Sequence, residues 1–406
     1  MQTFIALRNV NFRYLWFSSA FISAGNQVQQ IAMGYLVLQE TGSTLWLGLV
    51  LGIRALPILL IGPLAGVAVD RIDRKKLFLI AQLALVVIAF LFGLDVYLSK
   101  VQVSHILLFS FLLGLDSALN QPVRQALIVN TVEPADLTNA IALNNVANSV
   151  MQSVAPLISA ALIFWLTVAG NFFVQSAAFL IVFLILLPMK TPFREEFTTE
   201  TSVTRNFFDG IRYLKNDKTL MLLILLIFVP SLFVHSVQFQ FASIAGIVFA
   251  DGPWTLEWRL GLLGAAMGAG ALLATLFVAS LGRFGSRGKL NMTAVILVTV
   301  FLVFFGLSSN IYLSLALIGL VGFFNTMFRL ANNALVQSRT PDELRGRITS
   351  IYVLDHGFQP AGSPALGLLA QESVLGLQRA IVVAALLALL ITGFIGAKYR
   401  QLWQLK

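Results

Sequence analysis

The chain has 406 residues, of which 58% are hydrophobic and only 11% charged, and its mean hydropathy is +0.86. A soluble domain carries about 25% charged residues, so this composition excludes a soluble enzyme and a disordered chain, and the absence of cysteine excludes a disulfide-stapled secreted domain and a thiolate metal site. Long uncharged runs in place of alternating strands exclude an outer-membrane barrel, and the net charge of +9 suits basic loops held beside anionic lipid without any nucleic acid.

Met1 to Val10 has polar residues and a charge where a signal peptide would need an apolar core, so the first apolar segment is expected to act as its own targeting signal. Charge, Pro, Gly and Asn breaks then divide the chain into about twelve candidate spans. They run from Phe12 to Leu38, Leu45 to Val69, Lys76 to Leu98, Ser104 to Thr131, Leu137 to Leu166 and Asn171 to Met189. After a long polar stretch they resume from Thr219 to Phe249, Glu257 to Leu281, Leu290 to Leu307, Ile311 to Gln337, Leu344 to Ala370 and Leu377 to Ala397. The polar stretch, Lys190 to Lys218, spaces Phe207, Phe208, Ile211 and Leu214 as a surface-lying amphipathic helix would. The expected fold is an all-α polytopic membrane protein with 12 helices in two pseudo-symmetric six-helix bundles. Residues 1–189 form the first bundle, 190–218 a linker and 219–406 the second.

Orientation follows from sorting the 27 basic residues. With both termini in the cytoplasm, Lys100, Arg259 and Arg379 fall outside, Arg54 and Arg329 fall within spans, and all the others lie inside. A multi-pass location in a membrane, with both termini on the cytoplasmic side, is expected.

Half the chain echoes the other half. Gln125 to Ile141, between the fourth and fifth spans, aligns with one gap to Asn333 to Ile348, between the tenth and eleventh. Pro134 and Leu137 answer Pro341 and Leu344, and each site opens a helix with Pro followed by acids. Parallel repeats of this kind suit a rocking transporter.

The loop between the second and third spans reads Gly66-Val-Ala-Val-Asp70-Arg71-Ile-Asp73-Arg74-Lys75 and resembles the signature loop of the major facilitator superfamily. Glu40 to Ser43, Arg54 to Pro57, Pro122 to Ala126, Asp136 to Ala140 and Asp342 to Arg347 are similar to the bacterial efflux branch that holds the enterobactin exporter and the macrolide efflux proteins. The resemblance implies a secondary transporter that works as a monomer, uses a proton gradient and no cofactor, and binds a small-molecule substrate within membrane lipid. It also implies that Asp70 latches one mouth against the start of the eleventh span, near Arg345 and Arg347; Gly66, Asp70, Arg71, Arg74 and Lys75 form its motif. Three departures stand out. The second-half counterpart, Leu281 to Lys289, has no Asp; Ala155-Pro156 replaces Gly-Pro in the fifth span; and Asn26 stands where the branch often has an acid.

Ionisable groups at bilayer depth cost several kcal/mol unless paired or wetted, which singles out few residues. Asp116, with Asn120 and Arg124 one and two turns on, is either a proton carrier or a charge paired with Arg54 or Arg124. Asp355, His356 and Gln359 in the eleventh span and Arg329 in the tenth form the second-half set, and His is suited to proton transfer near neutrality. Amides cluster elsewhere: Asn26, Gln27, Gln29 and Gln30; Asn144, Asn145, Asn148 and Gln152; His235 with Gln238 and Gln240; and Asn325, Asn332 and Asn333. Amides facing lipid would lose their hydrogen bonds, so they either line a polar cavity or hold helices together. The cavity set comprises Asn26, Gln27, Gln30, Arg54, Asn120, Arg124, Asn144, Asn148, Gln238, Gln240, Asn325, Arg329 and Gln359.

The chain carries no Gly-x-x-x-x-Gly-Lys-Ser/Thr nucleotide loop, and His105, His235 and His356 lack metal-ligand spacing. It is read as a transporter and not an enzyme: an exporter of a siderophore or a macrolide-like drug, with uptake permease and lipid or lysolipid transporter as alternatives.

Overall fold

A computed structural model describes residues 5–62, 73–191, 203–281, 286–341, 344, 347–348, 351–352 and 354–405. Gly66, Asp70, Arg71 and Arg345 lie outside the described residues. Among the described residues nine helices are long and apolar enough to cross a membrane.

The elements in order are α1 (Val10–Thr41), α2 (Thr44–Gly62), α3 (Arg74–Tyr97), α4 (Val103–Thr131), α5 (Leu137–Leu186), α6 (Val203–Asn216), α7 (Lys218–Phe239), α8 (Leu256–Ser280), α9 (Arg287–Leu307), α10 (Ile311–Arg339), α11 (Asp355–Ala361), α12 (Ser363–Leu369) and α13 (Leu377–Lys398). Local chemistry sets the starts. The side chains of Asn9, Asp73, Asp217 and Asn310 each accept two backbone N–H groups from the first turn that follows. Gly42, with φ 59°, closes α1 in a left-handed cap that suits glycine.

One stretch follows the sequence reading closely and one differs from it. The fifth and sixth spans are the two arms of α5, divided at Thr167 (φ 66°, ψ 174°). The Asn171 side-chain amide donates to Ser159 Oγ at 3.0 Å, whereas a straight helix would hold these residues about 18 Å apart, so the chain reverses at Thr167. The eleventh span is broken at Gly362, between Pro360 and Pro364, into α11 and α12; proline removes a helix donor and crowds the preceding turn.

The apolar interior parts along the bundle. At the end remote from the termini one core draws on both halves, joining Met33, Leu47, Leu51 and Phe109 to Val237, Phe241, Leu260 and Leu366. At the other end the core is divided: Phe12, Leu15, Phe78 and Leu127 pack with first-half residues, while Leu220, Met292, Phe328 and Leu402 pack with second-half residues. Large apolar side chains such as Leu60, Ile80, Leu390 and Phe394 stay exposed on the outside, where lipid would cover them. Tyr97, Trp165, Trp254 and Tyr312 are exposed at helix ends on the remote side, as an interfacial aromatic belt requires.

Candidate functional site

Beside the shared core lies a cavity of about 140 Å³ between the halves. Gln27 and Gln30 of α1 and Gln152 of α5 line it from one side; His235 and Gln238 of α7, Asn325 and Thr326 of α10 and Gln359 of α11 line it from the other. Phe239 and Met267 add apolar surface; Gly264 and Gly268 let α8 come close to α5 at Pro156 and Gln152, and Gly322 lets α10 come close to α8 at Met267. His235 Nδ1 shares a 3.0 Å hydrogen bond with Gln238 Oε1, and His235 Nε2 has no partner. The Asn325 Oδ1 atom is likewise buried and unsatisfied. Buried polar atoms without partners cost about 1–3 kcal/mol each, so these groups are poised for a ligand or for water.

Gln359 connects this cavity to a buried ion pair. Its amide nitrogen donates to Asp355 Oδ2 at 3.3 Å and lies 3.4 Å from His356 Nδ1. Arg329 Nη2 approaches the same Asp355 oxygen at 2.7 Å, with the Asp355 side chain only 1% exposed. Ser231 Oγ of α7 donates to the other carboxylate oxygen, while Arg329 Nη1 finds no partner. Asp355 thus ties together α7, α10 and α11.

The first half carries a looser set. Asn120 donates its amide to Asp116 Oδ1, Arg54 Nη2 donates to Ser117 Oγ at 3.0 Å and Arg124 Nη2 to Gln121 Oε1 at 3.1 Å. Among the described residues no ion pair joins Asp116 to Arg54 or Arg124, although Arg54 lies within electrostatic range of the carboxylate.

The remaining residues singled out in the sequence fall elsewhere. Gln240 is fully buried and donates its amide to the Thr44 carbonyl at 3.2 Å, which joins α7 to α2 at the remote end. Asn144 is buried within α5, and the Asn148 Oδ1 atom is buried without a partner. Asn26, partly buried in α1, is not among the cavity-lining residues. Of the signature loop, Arg74 donates to Asn130 Oδ1 at 2.8 Å and Lys75 to the Leu187 carbonyl at 2.7 Å, which fastens the start of α3 to the ends of α4 and α5. The backbone of Arg347 approaches Gly210 of α6.

The remote end is sealed across the halves. Tyr35 donates its hydroxyl to Glu257 Oε1 at 2.8 Å, and Thr44 Oγ1 donates to the Gly367 carbonyl at 3.1 Å. Gly48 of α2 packs on the backbone of Ser363 and Gly367, leaving no room for a side chain.

A polytopic helical bundle with a polar cavity between two halves is the architecture of a major facilitator transporter. The fold matches that of a variant of the nucleoside transporter NupG with a TM-score of 0.78 at 12% identity, over 96% of this chain and all of that one. The chain belongs to the family described as transmembrane secretion effectors, which matches residues 1–403. It is 24% identical over 390 residues to the staphyloferrin A transporter of Staphylococcus aureus, covering 94% of each chain. To the multidrug efflux pump Tap of Mycolicibacterium fortuitum it is 26% identical over 412 residues, covering 96% of this chain and 95% of the other. The protein is a multi-pass membrane transporter of small molecules and not an enzyme.

Proposed function

We propose that the protein is a proton-driven exporter of an amphipathic small molecule that works by alternating access between the bundles of residues 1–189 and 219–406. One observation carries this reading: the amide-rich cavity is wired through Gln359 to the buried Arg329–Asp355 pair. A carboxylate bonded to the cavity wall changes its hold on three helices when it takes a proton, which links protonation to the cavity's shape. Asp355 and His356 are the second-half coupling groups, and Asp116 is the first-half one. The similarity to a staphyloferrin transporter and a multidrug pump supports export of a siderophore or a drug-like solute.

A cavity of about 140 Å³ is smaller than the roughly 300 Å³ of the smaller drug-sized pockets, so the solute enters when the divided end gapes. In this reading the chain crosses the inner membrane twelve times with both termini cytoplasmic, and Asp70 with Arg345 and Arg347 closes the cytoplasmic mouth when the opposite one opens. The test is energised efflux of phenylnaphthylamine from cells or its accumulation in everted vesicles, with and without an uncoupler. The expected result is gradient-dependent transport that Asp355→Asn abolishes and Asp116→Asn reduces. Transport indifferent to the uncoupler, or unchanged in both variants, overturns the reading.

A further inference from the structure

The repeat reaches deeper than the helix starts. Gly114, Leu115, Asn120 and Arg124 of α4 recur at the same mutual spacing as Gly319, Leu320, Asn325 and Arg329 of α10. In the register set by Leu137 and Leu344, Asn148 and Gln152 of α5 fall opposite Asp355 and Gln359 of α11. The two glutamines so matched both line the central cavity. The matched arginines, however, are provided for differently. Arg329 is neutralised by Asp355 at 2.7 Å; Arg124 has Asn148 where the repeat places that acid, and among the described residues its guanidinium donates only to Gln121.

Of Arg54, Arg124 and Arg329, the first has Asp116 within electrostatic range and the third has its ion pair. Arg124 has no carboxylate partner among the described residues. Its guanidinium lies within electrostatic range of His356 on the other half, its side chain is half-buried, and it follows Asp116 and Asn120 at four-residue spacing along α4. A guanidinium stays charged under all relevant conditions, and a half-buried one with no counter-ion keeps donors open to an acceptor. Its best complement is a planar or tetrahedral oxyanion that accepts two N–H groups. The substitution of Asn148 for the acid adds to this: a carboxamide can donate to an oxyanion that a carboxylate would repel, and Asn148 Oδ1 has no internal partner to hold the group in place.

We infer that Arg124 receives the oxyanion head, carboxylate or sulfonate, of the amphipathic solute, at a half-site whose own counter-ion has been replaced by Asn148. The inference rests on the transport reading above, and binding measured without a gradient reports on it separately from energised flux. The probes are anilinonaphthalene sulfonate and phenylnaphthylamine, fluorescent molecules that differ by one sulfonate group. Each is titrated into the full chain in phosphatidylcholine nanodiscs against empty discs, and the readout is the ratio of the two affinities. Wild type favours the anion. Arg124→Gln lowers the ratio about tenfold, the worth of one hydrogen bond to a charged group, whereas Arg124→Lys keeps part of it.

Asn148→Asp is the sharper variant because it keeps the arginine and restores the repeat's acid. It lowers the ratio as far as Arg124→Gln does. No preference in wild type, or a ratio within twofold of wild type in either Arg124→Gln or Asn148→Asp, overturns the assignment. Discs containing phosphatidylglycerol separate two sources of the same chemistry. If that lipid abolishes the sulfonate preference, the oxyanion at Arg124 is a lipid headgroup and the solute assignment falls; a preference that persists supports the solute.

Discussion

Asp355 accepts hydrogen bonds or charge from Ser231, Arg329 and Gln359, three residues on three helices. Replacing it with Asn leaves Arg329, whose side chain is 24% exposed, without a counter-charge, which costs on the order of 2 kcal/mol once that exposure is allowed for, whereas replacing both partners with apolar residues is far milder. The expected order of thermal unfolding midpoints in detergent is therefore wild type close to Arg329→Met/Asp355→Leu, with Asp355→Asn alone clearly lower. Losses that simply add in the double variant would show that the two residues do not act as a pair. At this scale the sequence was partly legible. Gln27, Gln30, Gln238, Asn325 and Gln359 were singled out as cavity groups, and all line it. Gln240 was grouped with Gln238, yet two residues along a helix is about 200° around it, and Gln240 instead bonds α2. The glycines at 264, 268 and 322 escaped notice because a wall made by the absence of a side chain leaves no polar signal; their four-residue spacing on α8 is the mark of close helix packing that could have revealed them.

The seal at the remote end belongs to elements, since each contact joins a first-half helix to a second-half one. Tyr35→Phe removes one hydrogen bond between α1 and α8, worth about 1 kcal/mol, and so raises the population open at that end roughly fivefold. Gly48→Leu acts more strongly because any Cβ at that position meets the Ser363 carbonyl of α12. Both are read by maleimide labelling of a single cysteine at Ala242, a buried residue packed near Gly34. The natural chain contains no cysteine to confuse the signal. Labelling that fails to rise in Gly48→Leu would mean that α2 and α12 do not form the gate. The break between α11 and α12 was written in Pro360, Gly362 and Pro364, although the apolar run around them reads as one span. The turn at Thr167 falls in the gap read between Leu166 and Asn171; its sharpness was not legible, since a β-branched residue with positive φ is a poor local choice and is held there by the hydrogen bonds of Ser159 and Asn171 to the Val28 carbonyl.

Across the whole molecule, one shared core at the remote end and two separate cores near the termini make a hinge with a closed and a parted side. Spin labels at Glu40 and Glu372, both exposed at the closed end, should separate by several ångströms on addition of a solute with a proton gradient in proteoliposomes, and return when the gradient collapses. A distance that stays fixed under all conditions would exclude rocking. The two-fold plan was legible from Pro134, Leu137, Pro341 and Leu344, since a repeat that begins two helices alike dictates two bundles alike; which side is closed depends on packing summed over dozens of apolar residues, none of which announces it. The reversal at Thr167 bears on how the molecule is made. With almost no polar chain between the two arms of α5, no loop separates them during insertion, and the arms are expected to enter the membrane together as a hairpin. An epitope tag inserted after Thr167 is therefore expected to abort assembly, while the same tag placed after Ser99 is tolerated.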